Sequence, residues 1–139
     1  MSRIVTIFKD IKETETPFHR SVAFVLGRIR DGASKDLVNR IRKEKDKAER
    51  NELKKGLPAV CFSGIFNKRS DASLTEHSGF ICLDFDGYKT KKDMKAERDR
   101  LEKDKHVYAV FTFPSHDHVR FLHVLSKCSE LKCFSSALK

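Results

Sequence analysis

The pattern of apolar and polar positions along the chain predicts several short strands. Apolar runs of strand length occupy residues 3–8, 59–66, 80–83, 107–113 and 121–125. Residues 80–83 are apolar throughout, which is typical of a central strand that is covered on both faces. Pro114 ends the fourth run, and the short gap before the fifth run predicts a hairpin between the two.

Three helices are predicted between these runs. Pro17 opens an amphipathic stretch that Gly32 ends, with apolar residues at helical spacing. Ser34 is the predicted N-cap of a second helix that continues to about Lys55. Residues 91–105 form a third, highly charged helix. The second helix is also densely charged, so its middle is interpreted as a solvated face laced with ion pairs.

The order of elements is therefore roughly β-α-α-β-β-α-β-β. Local hairpins and one helical crossover occur together, which predicts an α+β fold with a mixed β-sheet flanked by helices. The length of 139 residues suits a single domain over residues 1–139, or a fragment of a larger one. A polar loop at residues 67–73 and a turn at residues 77–79 separate the middle strands.

Composition and charge narrow the class of protein. Hydrophobic residues make up 39% of the chain, and eleven Phe residues can fill a modest core. The formal net charge of +9 favours a polyanionic partner such as DNA, RNA or nucleotides. No apolar segment approaches the length of a membrane-spanning helix, so a cytoplasmic protein without a membrane partner is expected. The four cysteines lack zinc-site spacing and are expected to be reduced thiols.

Two aspartates end the predicted strand at residues 80–83 and are the first candidates for chemistry. Asp84 and Asp86 are two positions apart, so on a strand their carboxylates point to the same face, about 6–7 Å apart. Such a pair can hold Mg²⁺ or Mn²⁺ for phosphoryl transfer. The alternative is that both are turn-forming residues at a strand end. A second alternative is a phosphoaspartyl enzyme with Asp84 as its nucleophile.

The loop between the last two strands is the second candidate. It carries a hydroxyl, two imidazoles and a guanidinium, all of which bind phosphate oxygens; these are Ser115, His116, His118 and Arg120. If this loop faces the two aspartates, its side chains would bind the phosphates of a nucleoside triphosphate. The alternative is a polar hairpin turn.

Residues 57–125 resemble the N-terminal half of primase-polymerases of the archaeo-eukaryotic primase superfamily. The closest variety is the prim-pol domain found with VirE-like proteins of mobile elements and phages. Three stretches carry the resemblance: residues 57–66, 77–86 and 107–115. The resemblance implies a nucleotidyltransferase of DNA replication, with Asp84 and Asp86 as catalytic metal ligands and Ser115, His116 and Arg120 on the nucleotide.

The same resemblance implies DNA template, nucleoside triphosphates and Mg²⁺ or Mn²⁺ as ligands, with a helicase partner or a missing C-terminal region. Four basic residues are expected to contact template phosphates: Lys54, Lys55, Lys68 and Arg69. The superfamily adds a third acidic strand, but after Arg120 the only carboxylate side chain is that of Glu130. A catalytically incomplete nucleic-acid-binding module of the same fold is therefore the alternative.

Overall fold

The computed structural model describes residues 3–85 and 87–112 and the backbone of residues 122–127. These residues divide into two compact units, the first up to Ser78 and the second from Gly79 onward. The α+β class is confirmed. Every pairing between described strands is antiparallel, however, so the mixed sheet predicted from the sequence is wrong for this part of the chain.

The first unit is built on a three-stranded sheet with the order β2-β1-β3. Its elements in chain order are β1 Ile4–Phe8, β2 Phe18–Ser21, α1 Val22–Arg30, α2 Lys35–Lys43, α3 Lys47–Lys54, β3 Ala59–Cys61, β4 Gly64–Phe66, a 3₁₀ turn Asp71–Ser73 and β5 Leu74–His77. Four consecutive residues of β1, from Val5 to Phe8, are buried. Strand β1 is therefore the central strand covered on both faces, which the sequence had placed at residues 80–83.

The helix predicted after Pro17 begins only at Val22. Residues Phe18–Ser21 pair with β1 instead, with Phe18 opposite Ile7 and Ser21 opposite Ile4. The hydroxyl of Ser21 then accepts a hydrogen bond from the backbone N–H of Phe24, which caps α1. Strand pairing with a buried neighbour has overridden the helical spacing of the apolar residues.

The long helix predicted from Ser34 to Lys55 is two helices, α2 and α3. Glu44 adopts an extended conformation after α2, and its carboxylate accepts from the N–H of Asp46. Asp46 in turn caps α3 by accepting from the N–H of Glu49. Buried Arg50 donates to the carbonyl of Glu44 at 3.3 Å, which ties α3 to this break. Local carboxylate capping thus interrupts a stretch in which most residues favour helix.

The strand predicted over residues 59–66 is also two strands, separated by Phe62 and Ser63. Strand β3 pairs with β1, whereas β4 pairs with the unpredicted strand β5. Gly64 permits this second pairing, because a Cβ atom there would lie 1.9 Å from the carbonyl oxygen of Glu76. The polar stretch at residues 67–73 is a loop that ends in the 3₁₀ turn, but His77 of the turn expected at residues 77–79 belongs to strand β5.

The hydroxyl of Thr6 links the two sheets of the first unit by hydrogen bonds. Thr6 of β1 is fully buried, and its Oγ1 donates to the carbonyl of Gly64 and accepts from the N–H of Phe66, each at 2.9 Å. His19 Nδ1 lies 3.0 Å from the same oxygen. Because the hydroxyl has one proton and gives it to Gly64, the ring nitrogen of His19 is the donor in this contact.

The second unit is a three-stranded sheet with the order β6-β8-β7 and one helix. Its elements are β6 Phe80–Phe85, α4 Lys91–Glu102, β7 Val107–Thr112 and β8 Leu122–Lys127. The predicted hairpin between the last two strands is confirmed by their antiparallel register. Leu101 of α4 is the buried centre of the core, packed by Leu83, Phe85, Tyr88, Met94, Val107 and Val110.

The Thr6 hydroxyl gives a direct test of this architecture. We expect Thr6→Val to lower the free energy of unfolding by about 1–3 kcal/mol, because it keeps the shape but leaves a buried carbonyl and N–H unsatisfied. Thr6→Ser keeps the hydroxyl and should cost about 1 kcal/mol, the value of one buried methylene. Urea denaturation followed by circular dichroism measures both. A smaller loss for Thr6→Val than for Thr6→Ser would contradict the role assigned to the hydroxyl.

Candidate functional site

Asp84 lies inside strand β6, one residue before its end. Exposure alternates along this strand: Cys82 and Asp84 are exposed, whereas Leu83 and Phe85 are half-buried. The half-buried pair packs on the Leu101 core, so Asp84 stands on the opposite face of the sheet. This position makes Asp84 a strand residue, and the interpretation as a turn residue is wrong for it.

Strand β6 lies at an edge of its described sheet, and β8 occupies the centre. The central, doubly covered strand predicted at residues 80–83 is therefore wrong. The physical reason is that β8 pairs between β6 and β7, while the core of α4 covers one face. Asp84 is exposed on the face of the sheet opposite this core.

The cross-strand register places further residues beside Asp84. Its Cα partner on β8 is His123, and the partner of His123 on β7 is Phe111. His123 carries no signal in the sequence alone, because only strand pairing brings it level with Asp84. A correct pairing of β6 with β8 would have revealed that a histidine lies at the register position opposite the aspartate.

The pKa of the Cys82 thiol is affected by Asp84, which lies two residues along the same strand. Burial of the thiol raises its pKa to about 11, and the negative charge of Asp84 adds to the increase. The residue as a whole keeps exposed surface. The electrostatic effect follows from strand alternation, since residues two apart share a face.

The other predicted metal and nucleotide ligands fall outside the described residues. These are Asp86, Ser115, His116, His118 and Arg120. Among the residues that the structure describes, no group of three or more His, Cys, Asp or Glu side chains is arranged to hold a metal ion. The described part of the site is thus the exposed carboxylate of Asp84.

The four predicted phosphate contacts all lie in the first unit. Lys54 ends α3 and is half-buried, while the adjacent Lys55 forms an ion pair with Glu52 that lowers the pKa of this glutamate. Lys68 is exposed and Arg69 is half-buried. The pair Lys54–Lys55 is separated from the pair Lys68–Arg69 in the sequence, so the distance between the two pairs depends on the fold.

One short segment anchors both basic pairs. The N–H of Ile11 donates to the carbonyl of Lys55 at 3.4 Å, and the N–H of Arg69 donates to the carbonyl of Thr14 at 2.8 Å. Residues 11–14 are only three peptide units long, so the backbones of Lys55 and Arg69 bond to points that lie close together along the chain. Arg69 also acts on Cys61, where its charge opposes the rise in thiol pKa that burial causes.

Comparison with known proteins identifies the family. The family model for the BT4734-like, N-terminal domain matches residues 52–132, which is more than half of the chain. The chain therefore belongs to this family. No curated protein and no solved structure matches it. No helix among the described residues is long and apolar enough to cross a membrane.

The family match corrects the identification made from the sequence. The chain resembles primase-polymerases in three short stretches, but the family to which it belongs is a different one. The stretches that carried the resemblance are mostly apolar strands and the turn residues that end them. Strand and turn chemistry alone favours such strings, so they recur in unrelated families.

Alkylation of Cys82 tests the face assigned to Asp84. Cys82 should react slowly with iodoacetamide near neutral pH, because the thiolate is the nucleophile and its pKa is raised. Asp84→Asn removes a negative charge, so it should lower the pKa and shift the rate profile to lower pH. Mass spectrometry of the Cys82 peptide measures the rate, with Asp93→Asn on α4 as the control. Equal profiles for the two variants would place Asp84 away from Cys82.

Proposed function

We propose that this member of the BT4734-like N-terminal domain family carries out metal-dependent nucleotidyl transfer on DNA. The observation that supports the proposal is the position of Asp84, exposed within a paired strand and opposite the hydrophobic core. A carboxylate presented by a sheet is held by backbone pairing on a rigid base, as a metal ligand requires. Asp86 is assigned as the second ligand because strand periodicity would place it on the same face.

The donor set suits a hard divalent cation. Carboxylate oxygens are the preferred protein ligands of Mg²⁺ and Mn²⁺, and Mg²⁺ sites in nucleotide enzymes commonly use one or two carboxylates. Such an ion, when bound, neutralises charge on phosphate oxygens during in-line displacement. The residues of this chain would position the ion, and the triphosphate would contact the loop that carries Ser115, His116, His118 and Arg120.

The basic balance of the chain supports a nucleic-acid substrate. The formal net charge is +9, and the exposed surface of α2 alone carries Lys35, Arg40, Arg42 and Lys43. Some basic residues of the other described helices are neutralised by ion pairs, for example Arg98 by Glu102 in α4. Lys54, Lys55, Lys68 and Arg69 are assigned to the phosphates of the template.

Metal-dependent nucleotide binding tests the proposal. We expect the protein to bind a nucleoside triphosphate more tightly with Mg²⁺ or Mn²⁺ than with EDTA. Asp84→Asn and Asp86→Asn should each abolish this difference, because each removes a carboxylate ligand but keeps the side-chain size. Isothermal titration calorimetry measures the binding, and Asp93→Asn, an exposed aspartate in the first turn of α4, serves as the control. Unchanged nucleotide binding in both site variants would refute the metal site.

A second function, nucleic-acid binding without catalysis, is favoured by one specific observation. The two basic pairs are anchored to residues 11–14 of the first unit, independently of the strand that carries Asp84. A surface of this kind neutralises phosphates and needs no metal ion. The two functions are separable, because only the first requires Asp84.

Salt dependence tests this second function. In EDTA, duplex DNA binding should weaken steeply with added salt, and Lys68→Gln should reduce the slope of log K against log salt by about 0.9, the value of one phosphate contact. Lys103→Gln, at the exposed end of α4, should leave the slope unchanged. Fluorescence anisotropy at several salt concentrations gives the slopes. Equal slopes for wild type and Lys68→Gln would remove Lys68 from the interface.

A further inference from the structure

Two exposed phenylalanine rings flank one guanidinium at an edge of the first unit. The Cζ atom of Arg20 lies 5.7 Å from the ring centroid of Phe18 and 5.8 Å from that of Phe24. Phe18 and Arg20 belong to strand β2, and Phe24 belongs to the first turn of α1. Both distances are within the range of cation–π attraction.

These rings are not part of the core. Phe18 is 42% exposed and Phe24 is 48% exposed, whereas their neighbours Val22 and Val25 are buried. Phe18 and Arg20 share a sheet face because alternate residues of a strand point the same way, and β2 is the edge strand of its described sheet. The cluster therefore presents aromatic surface outward at the rim of a sheet.

The guanidinium keeps donors for a ligand. Its Nη1 donates to the carbonyl of His19 at 2.7 Å, but no described carboxylate forms an ion pair with Arg20. A guanidinium has five N–H donors, so most remain available. Arg28 is exposed one helical turn after Phe24, on the same side of α1, and it adds a second positive charge beside the cluster.

We infer that Phe18, Arg20 and Phe24 form a stacking platform for the unpaired bases of single-stranded nucleic acid. Exposed rings offer stacking surfaces to bases, and Arg20 and Arg28 offer donors to the phosphates between them. The chain's formal net charge of +9 favours a polyanionic ligand over an uncharged one such as an apolar peptide. Duplex DNA fits poorly, because its bases are already stacked and paired.

The inference deepens the proposed function, since it assigns the single-stranded form of the substrate and a place where it is held. It rests on residues of the first unit and requires no metal ion. Its test is therefore carried out in EDTA, so that the result does not depend on Asp84 or Asp86.

The first experiment compares three probes with the full chain by fluorescence anisotropy. The probes are an oligothymidylate of roughly 12 nucleotides, a length within the range bound by single-strand-binding folds, its duplex, and an abasic strand of equal length. We expect the oligothymidylate to bind more tightly than the other two. Phe18→Leu and Phe24→Leu should each weaken its binding by about 5- to 100-fold, the cost of losing one stacked base.

Matched variants separate stacking from charge and from folding. Arg20→Lys keeps the charge but loses the planar group, so it should weaken binding of the oligothymidylate more than binding of the abasic strand. Leu74→Ala, at a similarly exposed apolar residue of β5, should change neither. Circular dichroism of each variant shows whether the fold is kept.

A second measurement does not depend on a loss of binding. The chain has no Trp, so Phe24→Trp introduces a unique fluorophore that keeps an aromatic ring at the platform. This variant should retain binding, and its fluorescence should be quenched by the oligothymidylate but not by the abasic strand. Leu74→Trp should show no quenching.

Several outcomes would overturn the inference. Equal binding of the oligothymidylate and the abasic strand would show that only charge is read, and unquenched Phe24→Trp would show that no base reaches the ring. A dimer of the wild type that Phe24→Leu dissociates would assign the rings to a second copy of the chain. Loss of metal-dependent nucleotide binding in Asp84→Asn alongside any of these results would leave the proposed function standing.

Discussion

The hydroxyl of Thr6 is the interaction on which the first unit depends. Strand β1 is buried on both faces, so a polar atom within it must be satisfied by protein groups. Thr6 meets this requirement by bonding to both ends of β4 and to His19 of β2. One oxygen thereby fixes where the second sheet begins relative to the first. The break after Cys61 follows, because the same run of apolar residues has to serve two sheets.

The elements of the chain were more predictable than their partners. Strands β1, β6, β7 and β8 and helix α4 were expected within a few residues, since each is a clear apolar run or a charged stretch with a cap. The helix break at residues 44–46 and strand β2 were missed. Both are decided by contacts that propensity does not contain: the caps at Asp46 and Ser21, and the pairing of Phe18 with Ile7.

At the candidate site, too, the strand was more predictable than its pairing partners. The sequence indicated a strand before Asp84, yet it ended that strand before the aspartate, placed β6 at the centre of a sheet and did not indicate His123 as the register partner of Asp84. The family was also misjudged, because strings of apolar strand residues followed by Asp or Pro are dictated by local structure rather than by descent. The exposed aromatic cluster was also missed, because Phe18 was predicted to be part of a helix, whereas it pairs in strand β2 beside Phe24 of α1.

The order β6-β8-β7 has a consequence for how the chain acquires its structure. Strands β6 and β7 run in the same direction and are separated by β8, which follows both in the sequence. The described strands of the first unit lie within residues 4–77, so its sheets can form while the chain is still being synthesised. The sheet of the second unit lacks its central strand until residues 122–127 have been synthesised. During that interval two unpaired edges face each other, and β8 must enter between them before they pair with each other or with a neighbouring chain.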